Sequence, residues 1–125
     1  MKLILLAIGG AAGTILRYYL SSSIQANNAT LFPWGTFSVN LIGSLIIGII
    51  AGVLINQTLS EQWQLFIFVG VLGGFTTFSS LAIETFNLLR TGQYIIATTY
   101  MLSTNFFGLL LAAAGFMISK KLFIP

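Results

Sequence analysis

The chain has 125 residues, 57% of them hydrophobic and 6% charged, with a formal net charge of +3. Soluble domains carry roughly 25% charged residues, so this is the composition of a membrane protein. Cysteine and histidine are absent and the only acids are Glu61 and Glu84, which removes thiolate and imidazole metal sites, a histidine base and a close carboxylate dyad, while the five scattered cations exclude a nucleic-acid surface.

Four helices of about 20 residues consume nearly the whole length. Such a bundle has little interior of its own, so the expectation is an all-α membrane protein that oligomerises. The first span is predicted over about residues 3–20. Lys2 ahead of an apolar run has the look of a signal peptide, but Arg17, Tyr18 and Tyr19 stand where a cleavage region would be, and more spans follow. Gly9 and Gly13 form a G-x-x-x-G pair, which suits close helix approach either within one subunit or between two. Arg17, near the end of this span, can snorkel to the headgroups and also serve as a cationic vestibule that concentrates anions.

Residues 21–34 read as a polar loop, with Phe32 and Trp34 at the headgroup boundary and Pro33 just ahead of a helix start. The second span covers about 35–55. In it Thr36, Asn40 and Ser44 recur every four residues and share a face, and Gly48 and Gly52 form another close-approach pair. A loop at 56–62 contains Glu61, and Trp63 anchors the next interface.

The third span, about 64–89, holds the stretch around which the chain is organised, from Gly70 to Glu84. Gly73 and Gly74 weaken a helix, and Thr76, Thr77, Ser79 and Ser80 follow at once. Lipid offers freed backbone groups no partner, so a helix broken in mid-membrane must be buried in protein or line an ion-occupied cavity. This stretch is the expected functional centre. A tight turn at 90–93 leads to the fourth span, about 94–118, where Tyr100, Thr104 and Gly108 share one face and Lys120 and Lys121 form a cationic flank.

Four spans put both ends of the chain on one side. That side holds Lys2, Lys120 and Lys121, and the other holds Arg17 and Arg90. A bias of three to two is close to neutral. It suits a chain that inserts both ways and pairs with its inverted self, and it also permits one orientation with cytoplasmic termini.

Three motifs now stand in order: Gly9-Gly10-x-x-Gly13-x-x-x-Arg17-Tyr18, Gly35-Thr36-x-x-Val39-Asn40-x-x-Gly43-Ser44, and Gly70-x-x-Gly73-Gly74-x-Thr76-Thr77-Phe78-Ser79 with Glu84. At these spacings, in a four-span chain of this size, the sequence resembles the Fluc/CrcB fluoride channels over essentially its whole length. The resemblance implies a passive fluoride-selective channel in the bacterial plasma membrane that exports the ion entering as HF. It implies a dual-topology antiparallel homodimer with two pores. It further implies a structural sodium ion at the dimer centre, held by backbone carbonyls at Gly73 and Thr76. By the resemblance, Asn40, Phe78 and Ser79 belong to the pore.

The residue chemistry suits that role. Fluoride is small and strongly hydrated, so lost water must be replaced by donors. Asn40 offers an amide, Thr36, Ser44, Ser79 and Thr104 offer hydroxyls, and Tyr100 a phenol. Phe78 can present the positive edge of its ring. The plainer alternatives are interhelical hydrogen bonding for Asn40 and Ser44, worth about 0.6 kcal/mol each, and lipid or core packing for Phe78. Glu84 matches the family with its role open.

Members of the family carry a second pore phenylalanine three residues after the first, and here that residue is Leu81. The departure leaves two assemblies open: a homodimer, or one subunit of a heterodimer with a paralogous chain and a degenerate pore. Two other readings compete. A small multidrug exporter of the four-span type needs a carboxylate in the first span, which has none. A non-conducting scaffold subunit leaves the alignment of hydroxyls and Asn40 with the helix break unexplained.

Overall fold

The computed structural model describes residues 1–56 and 59–123. Apolar segments in lipid must satisfy their own backbone groups, and here they do so as helices. Helix α1 is Lys2–Ala26, and α2 is Trp34–Val53, followed by a 3₁₀ turn at Leu54–Asn56. Helix α3 covers residues 61–75, α4 is Phe78–Arg90 and α5 is Tyr94–Phe123. Within α3, Leu65–Leu72 winds as a wider π-type helix between the α-helical pieces Glu61–Gln64 and Gly73–Phe75. Among the described residues four paths are long and apolar enough to cross a membrane: Lys2–Ala26, Trp34–Val53, Glu61–Arg90 and Tyr94–Leu122. The molecule is a multi-pass, all-helical membrane protein.

The helices outrun the expected spans. Residues 21–26, read from sequence as loop, continue α1 to Ala26. Polar residues end the apolar run there without ending the helix. Asn27 Nδ2 donates to the Ser23 carbonyl at 3.0 Å and Asn28 Nδ2 to that of Ile24 at 2.8 Å, so the carbonyls orphaned by the last turn find partners. The exposed rings of Tyr18 and Tyr19, 5.6 Å apart edge to face, suit the headgroup level. The last turns of α1 then stand beyond the hydrocarbon. At the other end of the chain α5 runs on past residue 118 to Phe123. Of the loop expected at 56–62, Gln57 and Thr58 lie outside the described residues, while Glu61 and Gln62 begin α3.

The turn after α4 follows from Gly92, whose φ of +77° is open to glycine and costly for other residues. With it, Gly92 N–H reaches the Leu89 carbonyl at 3.1 Å and Gln93 N–H reaches that of Leu88 at 2.9 Å. These two bonds close the helix as a Schellman motif.

Small residues set the packing. Helix α2 lies mainly against α5, and α1 mainly against α3. A Cβ on Gly48 or Gly52 would run into the α5 backbone at Ala112 or Phe116. A Cβ on Gly9 would stand 2.8 Å from the Phe66 carbonyl, and one on Gly70 would stand 3.0 Å from the Cα of Gly9. The Gly9/Gly13 pair, open between two uses on sequence alone, therefore serves α1–α3 contact inside one subunit. The buried cluster of Leu81, Leu88, Ala97 and Tyr100 joins α4 to α5 and is covered by Phe32, Phe37 and Ile96. Lys2 Nζ meets Glu61 Oε1 at 2.5 Å across the starts of α1 and α3. Both groups are exposed, so this pair contributes no more than about 1 kcal/mol.

Candidate functional site: the α3–α4 junction and its groove

The helical path of the third span stops at Phe75 and restarts at Phe78. Between them Thr76 (φ −84°, ψ 157°) and Thr77 (φ −151°, ψ 119°) are extended. Gly73 and Gly74 remain helical ahead of the interruption. Gly74 is required for contact: a Cβ there would lie 2.7 Å from the Gly10 carbonyl. Thr77 starts α4 by accepting the Ser80 N–H on its hydroxyl at 3.1 Å, a typical N-cap. Its main chain is held from α2, with the N–H donating to Asn40 Oδ1 at 2.8 Å and the carbonyl accepting from Asn40 Nδ2 at 3.0 Å. Thr76 donates both N–H and hydroxyl to the Leu72 carbonyl at 3.0 Å. Among the described residues no side chain or non-helical N–H reaches the carbonyls of Gly73 and Thr76.

Beside this junction lies an open groove of about 490 Å³ between α2, the junction and α5. Asn40, Ser44, Phe78, Leu81 and Thr104 line it. Phe78 is 75% exposed, its ring free at the first position of α4. Ser44 faces α5 near Gly108 and has no hydrogen-bond partner among the described residues. Thr104 is buried and turns its proton to the Tyr100 carbonyl at 2.6 Å. Leu81 is only 3% exposed because it belongs both to the groove wall and to the core cluster with Tyr100. The Lys and Arg residues all lie outside the groove lining.

Thr36 and Tyr100 go elsewhere. Both hydroxyls donate to Glu84, Thr36 Oγ1 to Oε1 at 2.8 Å and Tyr100 Oη to Oε2 at 2.6 Å. These are lengths at which hydroxyls serve a carboxylate. Tyr100 is fully buried and its ring meets Phe32 edge to face at 5.3 Å. Glu84 and Thr36 border a second, polar cavity of about 270 Å³ at the head of α2, shared with Ser21, Ser22 and Gln25. Gln25 Oε1 accepts the Gly35 N–H there at 3.1 Å and so ties α1 to the start of α2. Thr36 lies one turn along α2 from Asn40, and Tyr100 one turn along α5 from Thr104, so the two cavities follow one another.

The seven pore candidates therefore divide. The groove gathers Asn40, Ser44, Phe78 and Thr104, and Glu84 gathers Thr36 and Tyr100. Ser79 is exposed outside the groove lining, its hydroxyl 3.2 Å from that of Thr77. Arg17 is half-buried on α1 and borders neither cavity. It lies nine residues before the end of α1, about 13 Å along the axis. On sequence alone Glu84 was open to the interface or to a cation such as Arg90, not to the two hydroxyls it meets, and Gln25 stood unremarked in a loop. The signal for Glu84 was its position as a lone acid inside a span, and Gln25 gave none.

A cation at this site would have to take main-chain or hydroxyl oxygens, since among the described residues no three acidic, histidine or cysteine side chains come together. The carbonyls of Gly73 and Thr76, which no side chain or non-helical N–H reaches, fit a hard cation of that kind.

The family model described as CrcB-like protein, Camphor Resistance (CrcB), matches residues 4–116. The chain is 44% identical over 121 residues to the Fluoride-specific ion channel FluC of Thermus thermophilus, covering 97% of this chain and 95% of that protein. It is 42% identical over 117 residues to the Fluoride-specific ion channel FluC of Helicobacter acinonychis, covering 92% of each. The protein of the same name from Helicobacter pylori is 41% identical over 117 residues, 92% of this chain and 90% of that one. On the family match across most of its length, with these relatives aligned nearly end to end, the chain belongs to the CrcB-like family.

Proposed function

We propose that this protein is a passive, fluoride-selective channel, not an enzyme, that lets fluoride leave the bacterial cell across the plasma membrane. The observation that carries the reading is the groove at the helix interruption, where an amide, two hydroxyl residues and an exposed aromatic ring meet without a lysine or arginine. The relatives named as fluoride-specific channels support the same reading. Neutral HF crosses lipid and dissociates inside, and the inside-negative potential then drives the anion out through a pore. The Asn40 amide and the Ser44 hydroxyl replace part of the ion's hydration, and the edge of the Phe78 ring adds a weak positive wall. Weak, multiple donors without a fixed cation let the ion leave as well as enter. Ser79 and Thr104 extend the donor set, and Thr36, Tyr100 and Glu84 form the next station along α2 and α5.

In this reading the working unit is an antiparallel dimer of two oppositely inserted copies, with two pores and with the interruption of the third span in mid-membrane. The carbonyls of Gly73 and Thr76 from both copies would hold a sodium ion at the dimer axis. That ion would supply a fixed point joining two interrupted helices. Arg17 acts at the vestibule by attracting anions. Leu81 supports a second assembly, in which a paralogous subunit supplies the aromatic edge that leucine lacks.

Liposomes loaded with fluoride and chloride and holding the purified protein test this with two ion-selective electrodes. Fluoride efflux with chloride retained is the expected result. No fluoride efflux from the chain alone sinks the homodimeric channel, and flux that starts only on adding a paralogous chain selects the heterodimer.

A further inference from the structure

The interruption between α3 and α4 sets a local problem. Thr77 is extended, so its N–H has no helical partner and lipid supplies none, while its carbonyl lies at the N-cap where α4 only begins. One side chain from α2 meets both groups: Asn40 Oδ1 accepts the N–H at 2.8 Å and Asn40 Nδ2 donates to the carbonyl at 3.0 Å. A side-chain amide is a peptide group in miniature, with a donor and an acceptor in one plane. The pairing copies the two bonds that neighbouring antiparallel strands exchange. The opposite setting of the amide would bring NH₂ against N–H and oxygen against oxygen, so both contacts agree on one orientation. Three residues further along α2, Gly43 leaves room for the Thr76 methyl, which a Cβ there would strike. Helix α2 thus seats the interruption twice, with polar atoms for Thr77 and with space for Thr76. The hydroxyl of Thr77 is occupied as well, by the Ser80 N–H.

We infer that Asn40 is a positioning residue that holds Thr77 in its extended conformation by standing in for a missing peptide group, and that its effect on the permeating ion runs in part through the backbone it holds. With Oδ1 and one N–H engaged, a single amide N–H is left for the groove. The Thr77 carbonyl gives one lone pair to this bond, while no side chain or non-helical N–H reaches those of Gly73 and Thr76. Loss of Asn40 therefore releases a further carbonyl and a further N–H at the junction and blurs which oxygens it presents.

The test is residue-resolved amide hydrogen exchange on the purified full chain in detergent, without fluoride, alongside the liposome flux assay. In the wild type the Thr77 amide should exchange at least tenfold more slowly than an exposed amide despite its extended backbone. Exchange at the exposed rate overturns the inference, and this arm needs no variant to fold. Asn40→Ala should raise exchange at Thr77 at least tenfold and lower flux. Asn40→Asp, which keeps the accepting oxygen, should restore protection of that amide. Equal loss in Ala and Asp would reduce Asn40 to packing, and lost flux in Asn40→Ala with unchanged exchange would make it an ion ligand alone; either result overturns the proposal. Only the flux arm rests on the channel reading. A wild type that carries no fluoride but protects Thr77 would sink that reading and leave the positioning role supported.

Discussion

Glu84 is the residue whose surroundings say most about its function. It accepts from Thr36 across 48 residues of sequence and from Tyr100 across 16. Glu84→Leu would leave the fully buried Tyr100 hydroxyl and the buried Thr36 hydroxyl without an acceptor. Each orphaned hydroxyl costs about 1–3 kcal/mol. Glu84→Gln keeps one accepting oxygen and offers an NH₂ to the other hydroxyl, which can turn and accept, so its loss should stay within about 1 kcal/mol. Thermal unfolding in detergent should then rank wild type, Gln and Leu in that order with a wide gap before Leu. Equal melting of the two variants would show that the network carries no stability. The shared face of Thr36, Asn40 and Ser44 was legible in their spacing, because helical periodicity reports direction. Their partners were not, because periodicity says nothing about what stands opposite. A stripe read as one lining is in the structure three different contacts: a carboxylate, a main-chain peptide and an open groove.

At the scale of elements, the third span shows how two adjacent glycines come to differ. In sequence Gly73 and Gly74 look alike, and both look like the cause of a break. In the structure both are helical, and the extended residues are Thr76 and Thr77. Gly74 is pressed against α1, whereas a Cβ on Gly73 would find only the Phe68 carbonyl at 3.6 Å, an ordinary contact. Gly74→Ala should force α1 and α3 apart at a cost of about 1–3 kcal/mol. Gly73→Ala fits its helical backbone (φ −64°) and should leave the subunit's own stability unchanged or slightly raised. Melting curves of the two variants at one protein concentration check this, and a larger loss for Gly73 than for Gly74 would contradict it. If a bulkier Gly73→Leu lowers the dimer fraction by size-exclusion while the subunit stays folded, the exposed side of Gly73 is an assembly surface. That the chain forms four helices long and apolar enough to cross a membrane was legible from apolar runs. The π-type winding of Leu65–Leu72 was not, since nothing in a uniformly apolar stretch marks a change of helical pitch. Nor was the continuation of α1 to Ala26, because hydropathy marks where lipid ends rather than where hydrogen bonding does.

For the whole molecule, the deciding quantity is the small asymmetry of its cations. Lys2, Lys120 and Lys121 face Arg17 and Arg90, three against two. Orientation follows the Lys and Arg bias of short flanking segments, so two added charges should decide it. Ala29 and Thr91 are both exposed and lie on the side opposite the chain ends. Ala29→Lys with Thr91→Lys turns the count to three against four, whereas Arg90→Gln turns it to three against one. Arg90 is also exposed, and its guanidinium lies 5.9 Å from the Phe86 ring centre, so its removal should cost little stability. A reporter fused to the last residue should show the wild type on both sides of the membrane and each variant on one side, opposite to the other. If the working unit needs two inverted copies, either variant alone should lose most fluoride flux, and the two expressed together should recover it. Full flux from one fixed orientation would mean that a single chain, or a parallel pair, completes the groove beside Asn40 and Phe78.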